Sequence, residues 1–107
     1  MTQPTIPAHY RSLLPSQAIA EFCRQNHIHR LSLFGSILRD DFGPQSDVDF
    51  LVEYDPVQTP GYIRLAGLEL ALSELIGRKA DLRTAAELSP YFRQEVLESA
   101  VVQYVQG

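Results

Sequence analysis

The chain has 107 residues, of which 45% are hydrophobic and 21% charged, and its formal net charge is −4. This composition is typical of one folded domain with a modest core. The acidic balance and the lack of a polybasic cluster argue against direct nucleic-acid binding over a broad surface, which would normally be basic. The single cysteine, Cys23, allows neither an internal disulfide nor a thiolate metal site.

No apolar run approaches the about 20 residues that a membrane-spanning helix needs. Residues 1–7 contain no charged segment followed by an apolar stretch, so a signal peptide is not expected. We therefore expect a cytoplasmic protein. Pro4 and Pro7 oppose regular structure, which predicts a flexible N-terminal arm at residues 1–14, followed by a single domain at residues 15–107.

The first half of this domain is predicted to contain a helix, a strand, a short helical stretch and a second strand. The helix begins near Pro15, ends near Asn26, and has one apolar face made of Ala18, Ile19, Phe22 and Cys23. The other three elements are expected at residues 30–34, 37–41 and 47–52, respectively.

The second half begins with the clearest helix, expected at residues 62–76 and ended by Gly77. A strand is expected at residues 79–84, and a capping box joins Thr84 to Glu87. Ser89 and Pro90 are typical first residues of a helix, here ending near Ser99. Residues 101–105 are expected to form either a final strand or an interaction tail. The order of elements predicts a small α/β fold.

The most informative pattern is Gly35-Ser36 followed, after ten residues, by Asp47-Val48-Asp49. Because side chains alternate across a strand, Asp47 and Asp49 share one face. Glycine at position 35 permits an unusual backbone angle or the close approach of a ligand. Ser36 begins the helical stretch, whose free backbone N–H groups would face an anion. The pattern predicts a nucleoside-triphosphate site that depends on magnesium.

A third acid, Asp81, lies in the strand expected at residues 79–84. Neighbouring strands lie ~4.8 Å apart, so Asp81 could lie beside Asp47 and Asp49. Two like charges ~4 Å apart repel by roughly 4 kcal/mol at an effective dielectric of 20, so the cluster needs a cation or a raised pKa. Hard oxygen ligands favour Mg²⁺ or Mn²⁺. Asp47 and Asp49 are therefore the predicted metal ligands. Asp81 would ligate a second metal or accept a proton from an incoming hydroxyl.

Each signal taken alone also has a simple structural explanation. Asp-x-Asp often marks a solvated strand edge, and Gly-Ser is often a turn in which Ser36 would cap a helix. Lys79 and Arg83 share the predicted strand face of Asp81, so a surface ion pair is an open alternative for that residue. The order, spacing and strand context of the motifs together favour the site.

These motifs resemble the minimal nucleotidyltransferases of the DNA polymerase β superfamily. The similarity covers roughly residues 16–105 and is carried by Leu33-Phe34-Gly35-Ser36, Arg39, Ser46-Asp47-Val48-Asp49-Phe50-Leu51-Val52 and Gly77-Arg78-Lys79-Ala80-Asp81-Leu82. The resemblance implies a polymerase β-like fold with a short mixed sheet flanked by helices. It also implies ATP as substrate and a nucleotide-binding set of Gly35, Ser36, Arg39 and Ser46. The family often has glycine after Arg39, whereas this chain has Asp40, which we expect to point to solvent.

Chains of this length in that superfamily resemble the antitoxins of two-gene pairs whose toxin is a HEPN-domain ribonuclease. The resemblance implies a type VII-like antitoxin that uses Mg²⁺ to transfer AMP from ATP to a tyrosine of its toxin partner. Two alternatives stay open at this point. The chain could neutralise a partner by binding alone, or it could transfer a nucleotide to a small molecule such as an aminoglycoside.

Overall fold

The computed structural model describes residues 14–39 and 42–106. The strands are β1 Ile28–Phe34, β2 Val48–Tyr54, β3 Ala80–Arg83 and β4 Val101–Val105. The helices are α1 Ser16–Gln25, α2 Tyr62–Ile76 and α3 Pro90–Ser99, and 3-10 turns lie at Gly35–Leu38, Pro56–Gln58 and Ala85–Glu87. The strands form a sheet of order β3-β2-β1-β4, in which β1 is antiparallel to both neighbours and β2 is parallel to β3. The predicted small α/β fold with a short mixed sheet is confirmed.

The elements of the second half agree with the sequence patterns because local signals define their ends. Gly77 terminates α2 in a left-handed conformation with φ of 73°. The Ser89 side chain accepts a hydrogen bond from the Tyr91 N–H at the start of α3. Residues 101–105, predicted as either a strand or an interaction tail, form strand β4, which pairs with β1.

The stretch after Gly35 differs from the prediction. A 3-10 turn of four residues, Gly35–Leu38, replaces the expected helix at residues 37–41, and Arg39 already has an extended backbone. A single 3-10 turn provides fewer aligned N–H groups than an α-helix, and anion binding by the N–H groups of this turn remains a prediction. Asp40 and Asp41 lie outside the described residues.

The hydrophobic core lies between one face of the sheet and helices α1 and α2. Val48, Phe50 and Val52 alternate along β2 on that face, and none is more than 1% exposed. The helices contribute Ile19, Phe22, Cys23, Leu68, Leu72 and Ile76 to the same cluster. Ala18, predicted on the apolar face of α1, is exposed.

Helix α2 also covers the outer edge of β3. The Ser73 hydroxyl accepts a hydrogen bond from the Ala80 N–H at 2.8 Å, and the Glu69 carboxylate accepts one from the Leu82 N–H at 2.8 Å. These side chains satisfy edge groups that would otherwise pair with another strand. They also fix the position of β3, the strand that contains Asp81.

The predicted N-terminal arm lies outside the described residues, apart from Leu14. That residue is 6% exposed and packs in the core. None of the described helices is both long and apolar enough to cross a membrane.

Candidate active site

Strand register places Asp49 and Asp81 side by side. In the parallel pair of β2 and β3, Asp49 is directly opposite Asp81, and on the other side of β2 it is opposite Phe34. Asp47 lies immediately before β2, and it is close enough to Asp49 for its charge to act on the Asp49 carboxyl. The side of the sheet with Asp49 is opposite the core, and all three carboxylates are partly exposed. The predicted proximity of the three acids is confirmed, whereas their roles remain predictions.

The three acids also affect one another electrostatically. Partial burial of Asp49 raises the pKa of its carboxyl above the ordinary 3.8, and the charges of Asp81 and Asp47 raise it further. Arg83 and Arg39 act in the opposite direction. The crowding of negative charge that the sequence predicted is therefore present around Asp49.

Gly35 lies against the Asp49 carboxylate. Its φ is +78°, in the left-handed region that favours glycine. A Cβ at this position would lie 2.5 Å from Oδ2 of Asp49, closer than side-chain atoms normally approach. The expected unusual backbone angle is confirmed, whereas the close approach of a ligand remains a prediction. The group that approaches in this structure is the Asp49 side chain.

Ser36 and Arg39 lie at the two ends of the turn that follows Gly35. The Ser36 carbonyl accepts a hydrogen bond from the Arg39 N–H at 2.9 Å, which closes the turn. The Arg39 side chain is exposed and its charge lowers the pKa of Asp49. Arg39 therefore acts on the carboxylate site and Ser36 belongs to the turn beside it, and the contacts of both residues with a nucleotide remain predictions.

Ser46 has a structural role in the loop before Asp47. Its hydroxyl accepts a hydrogen bond from the Gly43 N–H at 3.0 Å, and its own N–H donates to the Gly43 carbonyl at 3.0 Å. These bonds close a turn immediately before the first acid. Nucleotide binding by Ser46 remains a prediction.

The ion pairs around the site do not support the alternative in which Asp81 forms only a surface ion pair with Lys79 or Arg83. Lys79 contacts Asp47, with Nζ 3.7 Å from Oδ2, and Arg83 contacts Glu87 at 3.8 Å. Both cations that could have paired with Asp81 therefore contact other acids. The Lys79 side chain is 70% exposed, so its pair with Asp47 is of the weak, solvent-screened kind.

The donor set fits a hard divalent cation. Carboxylate oxygens are the ligands that Mg²⁺ prefers, and Asp47, Asp49 and Asp81 provide three such groups on one face of the sheet. Among the residues that the structure describes, no three His, Cys, Asp or Glu side chains are already drawn together as a metal site.

A groove of about 470 Å³ opens beside Gly35, between the 3-10 turn and helix α3. It is lined by Phe34, Gly35, Leu38, Arg39, Phe92, Glu95, Val96 and Ser99. The groove shares Gly35 and Arg39 with the predicted nucleotide-binding residues.

The sequence patterns gave no role to Arg78. In the structure its guanidinium donates hydrogen bonds to the carbonyls of Gly43 and Ser46 and lies over the Phe42 ring. These partners are 32 to 36 positions away along the chain, as the residue numbers show. Neither periodicity nor a local motif signals contacts over such a distance.

The chain matches the nucleotidyltransferase domain family over residues 16–102. It therefore belongs to this family. The resemblance noted from the motifs is confirmed at this level.

Two curated relatives come from archaea. A Methanocaldococcus jannaschii protein, named provisionally as a protein adenylyltransferase, is 33% identical over 75 residues, which cover 69% of this chain and 74% of the relative. The protein adenylyltransferase MntA of Thermococcus cleftensis is 30% identical over 74 residues, covering 69% of this chain and 73% of that protein.

Solved structures share the fold. One described provisionally as a minimal nucleotidyltransferase superposes with a TM-score of 0.70 at 30% identity, covering 89% of this chain and 98% of the other. Another is a complex of a tri-AMPylated Shewanella oneidensis HEPN toxin with its MNT antitoxin. The TM-score is 0.63 at 22% identity, covering 89% of this chain and 73% of the matched chain. At that identity the second likeness concerns the fold alone.

Proposed function

We propose that this nucleotidyltransferase transfers AMP from ATP to a tyrosine hydroxyl of a HEPN-family ribonuclease toxin and thereby silences it, as a type VII-like antitoxin in the cytoplasm. The observation that carries the proposal is the placement of Asp49 directly opposite Asp81, with the Gly35 turn packed against Asp49. Two further findings support the acceptor. The relatives are named protein adenylyltransferases, and a complex with the same fold contains an AMPylated HEPN toxin.

Two groups of residues would bind ATP and its metal ion, one around the Gly35 turn and one made of the carboxylates. Gly35, Ser36, Arg39 and Ser46 would hold the triphosphate. Asp47 and Asp49 would hold Mg²⁺, with Mn²⁺ as a substitute. Of the two roles predicted for Asp81, a second metal ligand or a proton acceptor, we assign it the second. When bound, the metal supplies positive charge that neutralises the phosphates and favours ionisation of the attacking hydroxyl.

The reaction forms one bond and breaks another at the α-phosphorus of ATP. The tyrosine oxygen bonds to this phosphorus, and the bond from it to the oxygen that bridges to the β-phosphate breaks. Pyrophosphate leaves with the electron pair of that bond. Asp81 accepts the proton of the tyrosine hydroxyl, since it lies beside Asp49 at the site and can act as a general base.

A protein acceptor is favoured over a small molecule by an exposed apolar surface beside the site. Phe92 on α3 is 61% exposed and lines the groove that also contains Gly35 and Arg39. Aromatic side chains are enriched at protein interfaces. The same surface keeps neutralisation by binding alone as the second candidate function.

The test uses α-labelled ATP, Mg²⁺, the purified protein and a lysate of the native host. A variant with Asp47→Asn and Asp49→Asn serves as the control. We expect label on one protein band, absent with the control, and tyrosine-AMP in that band by mass spectrometry. Label confined to small molecules would contradict the protein acceptor. Stable capture of a partner without any transfer would instead support neutralisation by binding.

A further inference from the structure

Arg78 connects two segments that lie far apart in the sequence. It lies between the end of α2 and the start of β3 and is partly buried. Its Nη2 donates to the Gly43 carbonyl and, at 2.7 Å, to the Ser46 carbonyl. The guanidinium carbon also lies 4.5 Å from the centre of the Phe42 ring. All of these contacts are with the loop that leads into Asp47.

The Phe42 ring, which lies against the Arg78 guanidinium, is itself held in place by the core. Its side chain is 4% exposed and belongs to the hydrophobic core. A guanidinium held over a buried ring and bonded to two carbonyls has little freedom to move. Arg78 therefore links the loop both to the core and to the connection between α2 and β3.

The backbone is anchored on both sides of Asp47. Before it, the Ser46 carbonyl accepts the hydrogen bond from Arg78. After it, the Val48 N–H donates to the Lys79 carbonyl at 2.8 Å. Two consecutive residues, Arg78 and Lys79, thus hold the peptide groups that flank the first acid of the site.

We propose that Arg78 is a positioning residue, which sets the backbone at Asp47 so that this carboxylate meets the other two acids in the geometry needed for catalysis. This inference rests on the proposed function, because it concerns the same carboxylates. Arg78 acts through the loop, since its guanidinium contacts the Gly43 and Ser46 carbonyls and the Phe42 ring. Displacing a supporting residue of this kind typically costs about 10- to 100-fold in metal affinity or activity.

Lysine is not an adequate replacement for this arginine. An ammonium group is a compact donor on a flexible stem, whereas the planar guanidinium can bond two carbonyls and stack on a ring at once. An Arg78→Lys variant keeps the charge but should lose most of the positioning. The Arg78→Lys variant therefore tests whether the geometry of the arginine contacts matters when the positive charge at position 78 is kept.

Arg93 offers a matched control. Its guanidinium also holds a turn, donating to the carbonyls of Ala85 at 2.8 Å and Leu88 at 2.9 Å. That turn lies after β3, away from the loop before Asp47. Arg93→Ala therefore removes a comparable arginine contact without touching the backbone at Asp47.

The experiment compares Arg78→Ala, Arg78→Lys and Arg93→Ala by three measurements. These are steady-state transfer kinetics, Mn²⁺ affinity by titration calorimetry, and hydrogen exchange of the Ser46 amide. For both Arg78 variants we expect kcat and Mn²⁺ affinity to fall by about 10- to 100-fold. The Ser46 amide should also exchange faster. Arg93→Ala should leave all three close to wild type.

The outcomes separate this inference from the proposed function. If the Arg78→Ala variant does not fold, the same three measurements are made on the Arg78→Lys variant. Arg78 variants that lose thermal stability but keep kcat, Mn²⁺ affinity and Ser46 exchange would overturn the positioning role. If the wild-type protein shows no transfer at all, the proposed function fails, and Mn²⁺ affinity together with amide exchange still decides the role of Arg78.

Discussion

The two faces of β2 differ sharply although their residues alternate along one short strand. On the core face, Val48, Phe50 and Val52 are at most 1% exposed and pack under α1 and α2. On the other face, Asp49 crowds against Asp81 and has a raised pKa. One face therefore contributes apolar burial, which stabilises the fold, and the other contributes charge repulsion, which opposes it. Apolar burial on the core face therefore offsets the destabilising repulsion between the carboxylates on the opposite face.

The largest expected effect is on activity, from Asp49→Asn. Loss of this carboxylate should lower the transfer rate by at least about 10³-fold, equivalent to about 4 kcal/mol of transition-state stabilisation. The fold should be retained, because Asn has nearly the same shape. The measurement is the rate of label transfer from α-labelled ATP, with circular dichroism to check folding.

Glu53→Gln is the matched control for this substitution. Glu53 lies on the same face of β2, where it contacts Arg30 at 3.5 Å rather than the other acids. Its loss should leave the transfer rate unchanged. An equal loss of rate in both variants would show that any acid on this face matters only for general electrostatics.

On the core face, Phe50→Ala should destabilise the protein by about 3–5 kcal/mol, since it removes a fully buried ring and leaves a cavity. Urea unfolding measures the change in the free energy of unfolding. A loss of stability below about 1 kcal/mol would mean that the core is not as tightly packed as the burial implies.

Gly35→Ala should affect both properties. The positive φ and the 2.5 Å approach of a Cβ to Asp49 would strain the turn by about 1–3 kcal/mol and displace the carboxylate. We expect a lower unfolding midpoint and a reduced kcat. Gly67→Ala is the control: its Cβ would meet open space in α2, so it should stabilise the protein by about 0.5–1 kcal/mol with normal activity.

The smallest effect concerns the pH dependence of stability. Because the folded-state pKa of Asp49 is raised, ionisation of this carboxyl destabilises the folded protein, and the penalty is fully present above the raised value. It disappears as the pH falls through that value towards the ordinary 3.8. Asp49→Asn should therefore be more stable than wild type at neutral pH, by less than about 1 kcal/mol because the group is partly solvent-exposed.

Thermal unfolding across this pH range measures the difference between the two proteins. The advantage of Asp49→Asn should shrink at acidic pH. An advantage that stays constant from neutral to acidic pH would show that charge repulsion at Asp49 is not its source.

The parts of the structure that the sequence predicted best are those set by local rules. Helix α2 follows from its apolar spacing and from Gly77, and α3 follows from Ser89 and Pro90. The pairing of Asp49 with Asp81 was also predictable, because alternation fixes which residues share a face and neighbouring strands fix their separation.

The parts that it did not predict depend on contacts between distant segments. The turn after Gly35 was predicted as a longer helical stretch, but in the structure a 3-10 turn forms with Gly35 packed against Asp49. The contacts of Arg78 with Gly43 and Ser46 depend on how α2, β3 and the loop meet in space. No pattern within a single segment contains this information.

The most direct test of the account asks whether the carboxylate face neutralises the partner by chemistry or by contact. The ribonuclease activity of the captured partner would be measured after incubation with ATP, Mg²⁺ and either the wild-type protein or Asp49→Asn. We predict that the wild-type protein silences the ribonuclease and that the silencing persists after the two proteins are separated. Asp49→Asn should bind the partner and leave it active. Equal silencing by both proteins, lost on separation, would contradict AMP transfer as the mechanism.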